Sequence, residues 1–333
     1  MRQRIHKILV TGGAGFIGSE FVRQSVSKGY PITVVDKLTY AGDLARLKEI
    51  TGKYTFYKID ITNKKRLANV FKKEKPDAIV HFAAETHVDR SIRDARPFVQ
   101  TNVVGTQNLI DSARANKIKR FIHISTDEVY GESFKGRFKE TAALLPNNPY
   151  SATKASAEML IRAAIRTYKL QAIIVRPANN YGPWQYPEKF IPVIILKALK
   201  NQPIPVYGEG EQIREWLHVS DCALGILKIL QKGVIGSSYN IGSHFETNNL
   251  TTVKIILKLM NRPFSLIEFI KDRAGHDFRY SVDYFQLQKL GWTPKKTFPD
   301  GIRQAIQWNK DHINWLEKRL ISTKNYSKKI YKK

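Results

Sequence analysis

Three stretches of the 333-residue chain carry residue types whose spacing suits chemistry. In Ser125-Thr126-Asp127-Glu128-Val129-Tyr130-Gly131, two carboxyl groups stand side by side after the apolar run 120–124. Like charges repel in a partly buried place, so the pair is a poor structural choice. It suits an acid and a base acting on adjacent carbon atoms. Tyr150-Ser151-Ala152-Thr153-Lys154 sets a phenol and an ammonium four residues apart, on one face of a helix. The Lys154 charge is expected to lower the Tyr150 phenol from about 10. A phenol so lowered can take a proton from a hydroxyl while hydride leaves the adjacent carbon. The third stretch, Gly12-x-x-Gly15-Phe16-Ile17-Gly18, joins a short apolar run to a helical one. Glycines there allow a tight turn and close backbone approach to a diphosphate at the helix N-terminus. Asp36 ends the next apolar run, placed to bind ribose hydroxyls and to repel a 2′-phosphate, which favours NAD. Taken singly, these are a solvated acidic pair, a helix surface and a structural turn. In this order they point to hydride-transfer catalysis.

The elements that must hold these residues alternate. Apolar runs at 7–11, 32–36, 56–60, 78–84, 120–126 and 172–175 are separated by helical stretches ending near 28, then over 44–50, 64–73, 98–116 and onward from 150. Continuous apolar strands between helices predict an α/β fold, a doubly wound Rossmann-type parallel sheet covered on both faces. Its ligand site should lie beyond the carboxyl ends of the strands. The second half is less regular, with proline and glycine marking loops at 181–187, 203–210 and 243–249. Helical patterns occupy 190–200, 220–231, 251–260 and 300–309. The expected organisation is an NAD-binding lobe over 1–178, rejoined by about 218–243. A smaller, loop-rich C-terminal substrate lobe would take 179–217 and 244–320, with a basic, mobile tail over 321–333.

Composition bounds the setting. Hydrophobic residues are 42% and aromatics 11%, enough for a sizeable core and against global disorder. The longest apolar run, 190–196, falls far short of the ~20 residues of a membrane span. The start of the chain lacks a secretory-signal pattern. The single cysteine, Cys222, excludes an intramolecular disulfide framework and a cysteine-built zinc site, and no metal is expected. A cytoplasmic setting is the expectation. Lys plus Arg is 55 against 29 Asp plus Glu, a net charge of +26. Part of it is local, since 318–333 carries only basic charge. Such an excess attracts nucleic acid, anionic surfaces and phosphorylated metabolites. A solvated basic surface is the ordinary reading, and nucleic-acid binding is not expected beyond weak, salt-sensitive attraction by the tail.

From about 7 to 308 the chain resembles the nucleotide-sugar 4,6-dehydratases of the extended short-chain dehydrogenase/reductase superfamily. Besides the three stretches above, the likeness is carried by Asp36-Lys37-Leu38-Thr39-Tyr40-Ala41-Gly42, the run 81–91, Gln100-Thr101-Asn102 and Asn179-Asn180-Tyr181-Gly182-Pro183. Further on it is carried by Pro187-Glu188-Lys189, Arg214-Glu215-Trp216-Leu217-His218-Val219 and Asp272-Arg273-Ala274-Gly275-His276-Asp277-x-x-Tyr280. The last is particular to members acting on dTDP-sugars. The chain departs from the family's frequent aspartate at Glu215 and frequent histidine at Cys222.

The resemblance implies that Asp36, Lys37, Leu38, Thr39, Asp60, Ile61, Ala83, Ala84, Glu85, Thr101, Tyr150, Lys154 and Asn180 join the glycine turn in holding NAD. It implies a nucleotide-sugar site of His87, Thr126, Asn179, Lys189, Phe190, Pro205, Val206, Tyr207, Arg214, Asn249, Asp272, Arg273, Gly275 and His276. A guanidinium at Arg214 is suited to clamp a diphosphate. The implied reaction removes water from a nucleoside-diphosphate-glucose, with Thr126, Asp127, Glu128, Tyr150 and Lys154 as catalytic residues. dTDP-glucose is expected ahead of UDP-glucose as substrate. An epimerase or a UDP-glucuronate decarboxylase is a weaker alternative, because neither needs the acidic pair. A dinucleotide-sensing, nucleic-acid-binding protein without activity is weaker still, since the catalytic set is intact. A homodimer is expected through the helices that follow 96–97 and 150, with Ala113, Ala155, Ala157, Ala163 and Ala164 permitting close approach.

Overall fold

The computed structural model describes residues 5–272 and 277–330, the stretch 323–330 by its backbone alone. In the first half, strands β1 (Ile8–Thr11), β2 (Ile32–Asp36), β3 (Tyr54–Lys58), β4 (Ala78–His81), β5 (Arg120–Ile124) and β6 (Ala172–Pro177) alternate with helices. These are α1 (Phe16–Ser27), α2 (Lys64–Glu74), α3 (Val88–Arg93), α4 (Arg96–Phe98), α5 (Gly105–Ala115) and α6 (Pro149–Tyr168). The second half holds β7 (Asn179–Tyr181), β8 (Ile204–Tyr207), β9 (Ile213–His218), β10 (Ser238–Ile241), β11 (Glu246–Asn248) and β12 (Ile267–Ile270). Its helices are α7 (Phe190–Leu199), α8 (Val219–Lys232), α9 (Asn249–Leu259), α10 (Phe285–Gln288), α11 (Phe298–Asp311) and α12 (Ile313–Ile330).

Seven strands form one sheet in the order β10-β6-β5-β4-β1-β2-β3, with every pairing parallel. The doubly wound expectation holds. Strand side chains alternate between faces, and both faces are covered. Ile8 and Val10 pack with Phe21 and Val22 of α1 and Ile226 and Leu230 of α8. Leu9 and Ile79 pack with Leu67 and Phe71 of α2, Leu109 of α5 and Ile161 of α6. Each such side chain, fully buried, contributes about 1.5–3 kcal/mol. The strand order reverses between β1 and β4, and the crevice that results lies at the carboxyl edge of the sheet.

The remaining strands form two small sheets, β11-β9-β7 and β12-β8. They cover a separate core in which α7, α9 and α11 contribute Ile194, Ile195, Ile256, Ile302 and Ile306. The stretches 203–210 and 243–249, read from sequence as loops, contain β8 and β11. Their pairing partners, β12 and β9, are remote in sequence, so no local pattern announces them.

At the C-terminus, helix α12 continues through most of the stretch expected as a tail, to Ile330. Trp308, His312 and Trp315, at helical spacing, gather around Trp184, and Leu316 is fully buried. Trp315 Nε1 donates to Asp43 Oδ2 at 2.6 Å, and Arg319 pairs with the same carboxylate at 2.5 Å. The last part of the expected mobile tail, 331–333, lies outside the described residues. Among the described residues, no helix is long and apolar enough to cross a membrane.

Candidate active site

A single cavity of about 610 Å³ runs along the carboxyl edge of the large sheet and under the smaller lobe. At one end stands the turn after β1. Gly12 has φ +71°, and a Cβ there would lie 2.5 Å from the Ala83 nitrogen. A Cβ on Gly18 would collide with the Gly12 carbonyl oxygen. Only glycine fits both places. Helix α1 starts at Gly15 with no side-chain cap and no acidic residue in its first turn. Its positive dipole end is therefore available to an anion, and Gly15, Phe16, Ile17 and Gly18 all line the cavity.

Asp36 closes β2 and is buried, which raises its carboxyl; hydrogen bonds from the Leu38 and Ala14 amides, at 2.8 and 3.0 Å, restrain the rise. Leu38 contributes that amide from a left-handed conformation and does not line the cavity. Lys37 is engaged by Asp60 at 2.6 Å. Thr101 reaches the cavity from a π-helical turn, Val99–Val104, where the sequence reads as one regular helix. Asn102 pins this wider turn: its side chain accepts from Glu85 N (2.9 Å) and donates to Glu85 O and Thr153 Oγ1 (both 3.0 Å). Ile61, Ala83, Ala84, Glu85 and Asn180 also line this end. The glycine cradle, the uncapped helix and the buried Asp36 fit a dinucleotide.

The centre of the cavity holds the acidic pair. Thr126 Oγ1 accepts from Glu128 N and donates to Asp127 Oδ1, both at 3.3 Å, capping the short turn Asp127–Tyr130. Asp127 is 2% exposed. Burial first, then the charges of Glu128 and Glu215, push its carboxyl well above the usual range. Burial also raises Glu128, but Arg214, the Asn148 amide at 3.4 Å and Lys189 all oppose the rise. Adjacent carboxyls in unlike surroundings thus differ in proton affinity, the condition for separate acid and base roles.

Tyr150 and Lys154 enter from the first turns of α6, capped by Asn148 and opened by Pro149. The Asn148 side chain accepts from Ser151 N at 2.9 Å while its amide faces Glu128, so one residue fixes the helix start and touches the acidic pair. Here the structure departs from expectation. Burial raises the Tyr150 phenol and the Glu128 charge raises it further, with only a Thr126 hydrogen bond opposing. Lys154 donates to the Ile124 carbonyl at 2.6 Å, and burial lowers its ammonium to about 8. Desolvation outweighs the four-residue spacing.

Beyond the acidic pair, His87, Asn179, Lys189, Phe190, Pro205, Tyr207, Arg214 and Asn249 line the far end. Val206 does not: it is fully buried in the core of the smaller lobe, because alternation along β8 turns it away from Pro205 and Tyr207. Asp272 is exposed and does not line the cavity; it accepts from Gln212 Nε2 at 2.7 Å, and Gln212 in turn accepts from Asn249 at 3.4 Å. Arg273, Gly275 and His276 lie outside the described residues. The Arg214 guanidinium is held by the carbonyls of Ile213 and Asp277, at 2.7 and 2.9 Å, and stacks over Tyr280. Sequence reasoning gave Glu188 no role. It accepts from Tyr40 at 2.9 Å and from Arg90 at 2.7 Å, joining the β2 loop, α3 and the smaller lobe beside Lys189.

Fold and cavity together fit a dinucleotide-dependent acid–base enzyme. The model of the NAD dependent epimerase/dehydratase family matches residues 8–242, and the chain belongs to that family. A dTDP-glucose 4,6-dehydratase of Neisseria meningitidis serogroup B is 47% identical, over 93% of this chain and 95% of its own length. The crystal structure of a dTDP-glucose 4,6-dehydratase from Streptomyces venezuelae, with NAD and TYD bound, superposes with a TM-score of 0.91. It is 42% identical and covers 94% of this chain and 99% of that one. A UDP-glucose 4-epimerase of Thermotoga maritima, with UDP-glucose, gives a TM-score of 0.88 at 29% identity, covering 92% and 99%.

Proposed function

We propose that the chain removes water from dTDP-glucose to give dTDP-4-keto-6-deoxy-glucose, retaining NAD throughout. The observation that carries this reading is the buried Thr126-Asp127-Glu128 turn, which shares one cavity with Tyr150, Lys154 and the glycine cradle. The close relatives are named as enzymes of this reaction. Gly12, Gly15, Phe16, Ile17 and Gly18 would hold the diphosphate of NAD, Asp36 its ribose, and Asp60, Ile61, Ala83 to Glu85, Thr101 and Asn180 the rest. When bound, NAD supplies a hydride acceptor for carbon 4 and a donor for carbon 6.

The residues of the chain then divide the proton transfers. Tyr150 takes the carbon-4 hydroxyl proton while Thr126 holds the oxygen, and Lys154 supports the phenolate. The ketone at carbon 4 acidifies the proton on carbon 5, which Glu128 removes. Asp127, whose carboxyl is pushed well up by burial and by two neighbouring carboxylates, gives its proton to the carbon-6 hydroxyl, which leaves as water. His87, Asn179 and Lys189 would hold the sugar, Arg214 the diphosphate, and Phe190, Pro205, Tyr207 and Asn249 the base.

A homodimer in the cytoplasm is part of the same reading, on a different footing from the sequence argument. Ala113 and Ala164 pack on the chain's own sheet, and Ala155 and Ala157 are buried as well. The outward faces instead offer Val99, Val104 and Met159, each 39–47% exposed, and these would meet across a two-fold axis. A monomer by light scattering at micromolar concentration would refute the dimer. The reaction is tested by mass spectrometry on dTDP-, UDP-, CDP- and GDP-glucose. Loss of water should be fastest with dTDP-glucose; a preference for UDP-glucose would overturn the nucleotide, and no water loss from any of them would overturn the reaction.

A further inference from the structure

Behind the acidic pair lies a buried polar assembly that the reaction above does not use. Glu158 stands on α6 four residues beyond Lys154 and eight beyond Tyr150, on the same helix face. Arg176 reaches it from β6: Nε donates to Oε1 at 2.9 Å and Nη2 to Oε2 at 2.6 Å, with both side chains 0% exposed. The other arm of the guanidinium, Nη1, donates to the Tyr130 hydroxyl at 2.5 Å and to the Glu140 carbonyl at 3.2 Å. The Tyr130 hydroxyl in turn donates to Asn240 Oδ1 at 2.8 Å, on β10. Tyr130 is the last residue of the turn that begins with Asp127 and Glu128. Asn240 is itself anchored, donating to the carbonyls of Phe138 and Asp283 at 2.9 and 3.0 Å.

A fully buried ion pair is a weak source of net stability, because desolvating both ions offsets their attraction. Its geometry is the informative part. A bidentate fork fixes direction as well as distance, and this one has a carboxylate on one side and the end of the acidic turn on the other. We propose that Glu158, Arg176 and Tyr130 are positioning residues that clamp the Asp127–Glu128 turn in register with the Tyr150–Lys154 face of α6. None of the three would touch substrate. Their effect falls on the steps in which both elements must meet one sugar ring at once, where small misplacements cost large factors in rate.

This inference rests on the dehydratase reading, so its test carries the unsubstituted enzyme alongside. Removing Glu158 or Arg176 alone would strand a buried charge and endanger the fold. Tyr130→Phe keeps the ion pair and the ring under the guanidinium, 4.7 Å away, and deletes the two hydrogen bonds of the hydroxyl, from Arg176 and to Asn240. With dTDP-glucose in deuterated water, three quantities are read: reduction of bound cofactor by absorbance, and deuterium entry at carbon 5 and water loss by mass spectrometry. Carbon-4 oxidation needs only Tyr150, Lys154 and Thr126, so it should stay within about twofold of the unsubstituted rate. Carbon-5 exchange and water loss should fall by about tenfold or more, with reduced cofactor accumulating and KM little changed. Equal slowing of oxidation and elimination, or native rates of both, would overturn the clamp. Failure of the unsubstituted enzyme to lose water would instead overturn the dehydratase reading, and the clamp with it.

Discussion

Asp127 and Glu128 are neighbours in sequence and opposites in surroundings. Asp127 is closed in by burial and two carboxylates, whereas Arg214, Asn148 and Lys189 offset the burial of Glu128. Glu128→Gln should therefore leave carbon-4 oxidation intact, with bound NAD reduced on adding sugar, and slow water loss by ~10²–10⁴. Asp127→Asn should slow water loss as much while still allowing deuterium to enter carbon 5 of unreacted substrate. Water loss at the native rate in Glu128→Gln would reject the assignment. The pH dependence follows from Lys154, whose ammonium burial lowers to about 8. Charge is present below that value and lost as pH rises through it, so support for the Tyr150 phenolate fails on the alkaline side. kcat/KM for carbon-4 oxidation, followed in Glu128→Gln, should fall with a midpoint near 8. Lys154→Arg, whose charge does not titrate, should react more slowly but without that limb; an unchanged limb would point to another group. The residue types of this site were legible because their order and spacing are local. The direction of the phenol shift was not, since it depends on how deeply α6 buries Tyr150.

Among the elements, six of the seven strands of the large sheet were readable from apolar runs, and the longer helices from their period; the edge strand β10 was not read. Three further features escaped. The π-helical turn at Val99–Val104 is held by Asn102 reaching Glu85 and Thr153, contacts made only once the fold has formed. The small sheets pair strands that are far apart in the chain. Helix α12 was missed because its basic composition resembles a solvated tail, although Trp308, His312, Trp315 and Arg319 recur at three- and four-residue intervals. That helix gives the clearest prediction at this scale. Trp315 meets Trp184, Trp308 and Asp43, and the Arg46 guanidinium lies 5.2 Å from its ring. Trp315→Ala should cost about 2–3 kcal/mol in denaturant unfolding. Truncation after Leu320 keeps Trp315, Leu316 and Arg319 and should leave turnover nearly unchanged. If Trp315→Ala were silent, α12 would not be a structural part of the enzyme.

At the scale of the whole molecule, the groups proposed as catalytic come from the large sheet and α6, while Lys189 and Arg214 come from the smaller lobe. Glu188 ties the smaller lobe to the larger through Tyr40 and Arg90, beside Lys189. The same framework serves epimerases, as the likeness to the Thermotoga maritima enzyme illustrates. Fold alone therefore does not choose the reaction; in the proposed reading the acidic pair does. The most direct test uses dTDP-glucose carrying deuterium at carbon 4, with the product weighed and its label located by NMR. The account predicts a product lighter by one water, with the deuterium now on carbon 6. A product of unchanged mass inverted at carbon 4, or a dehydrated product whose label has been lost to solvent, would contradict it.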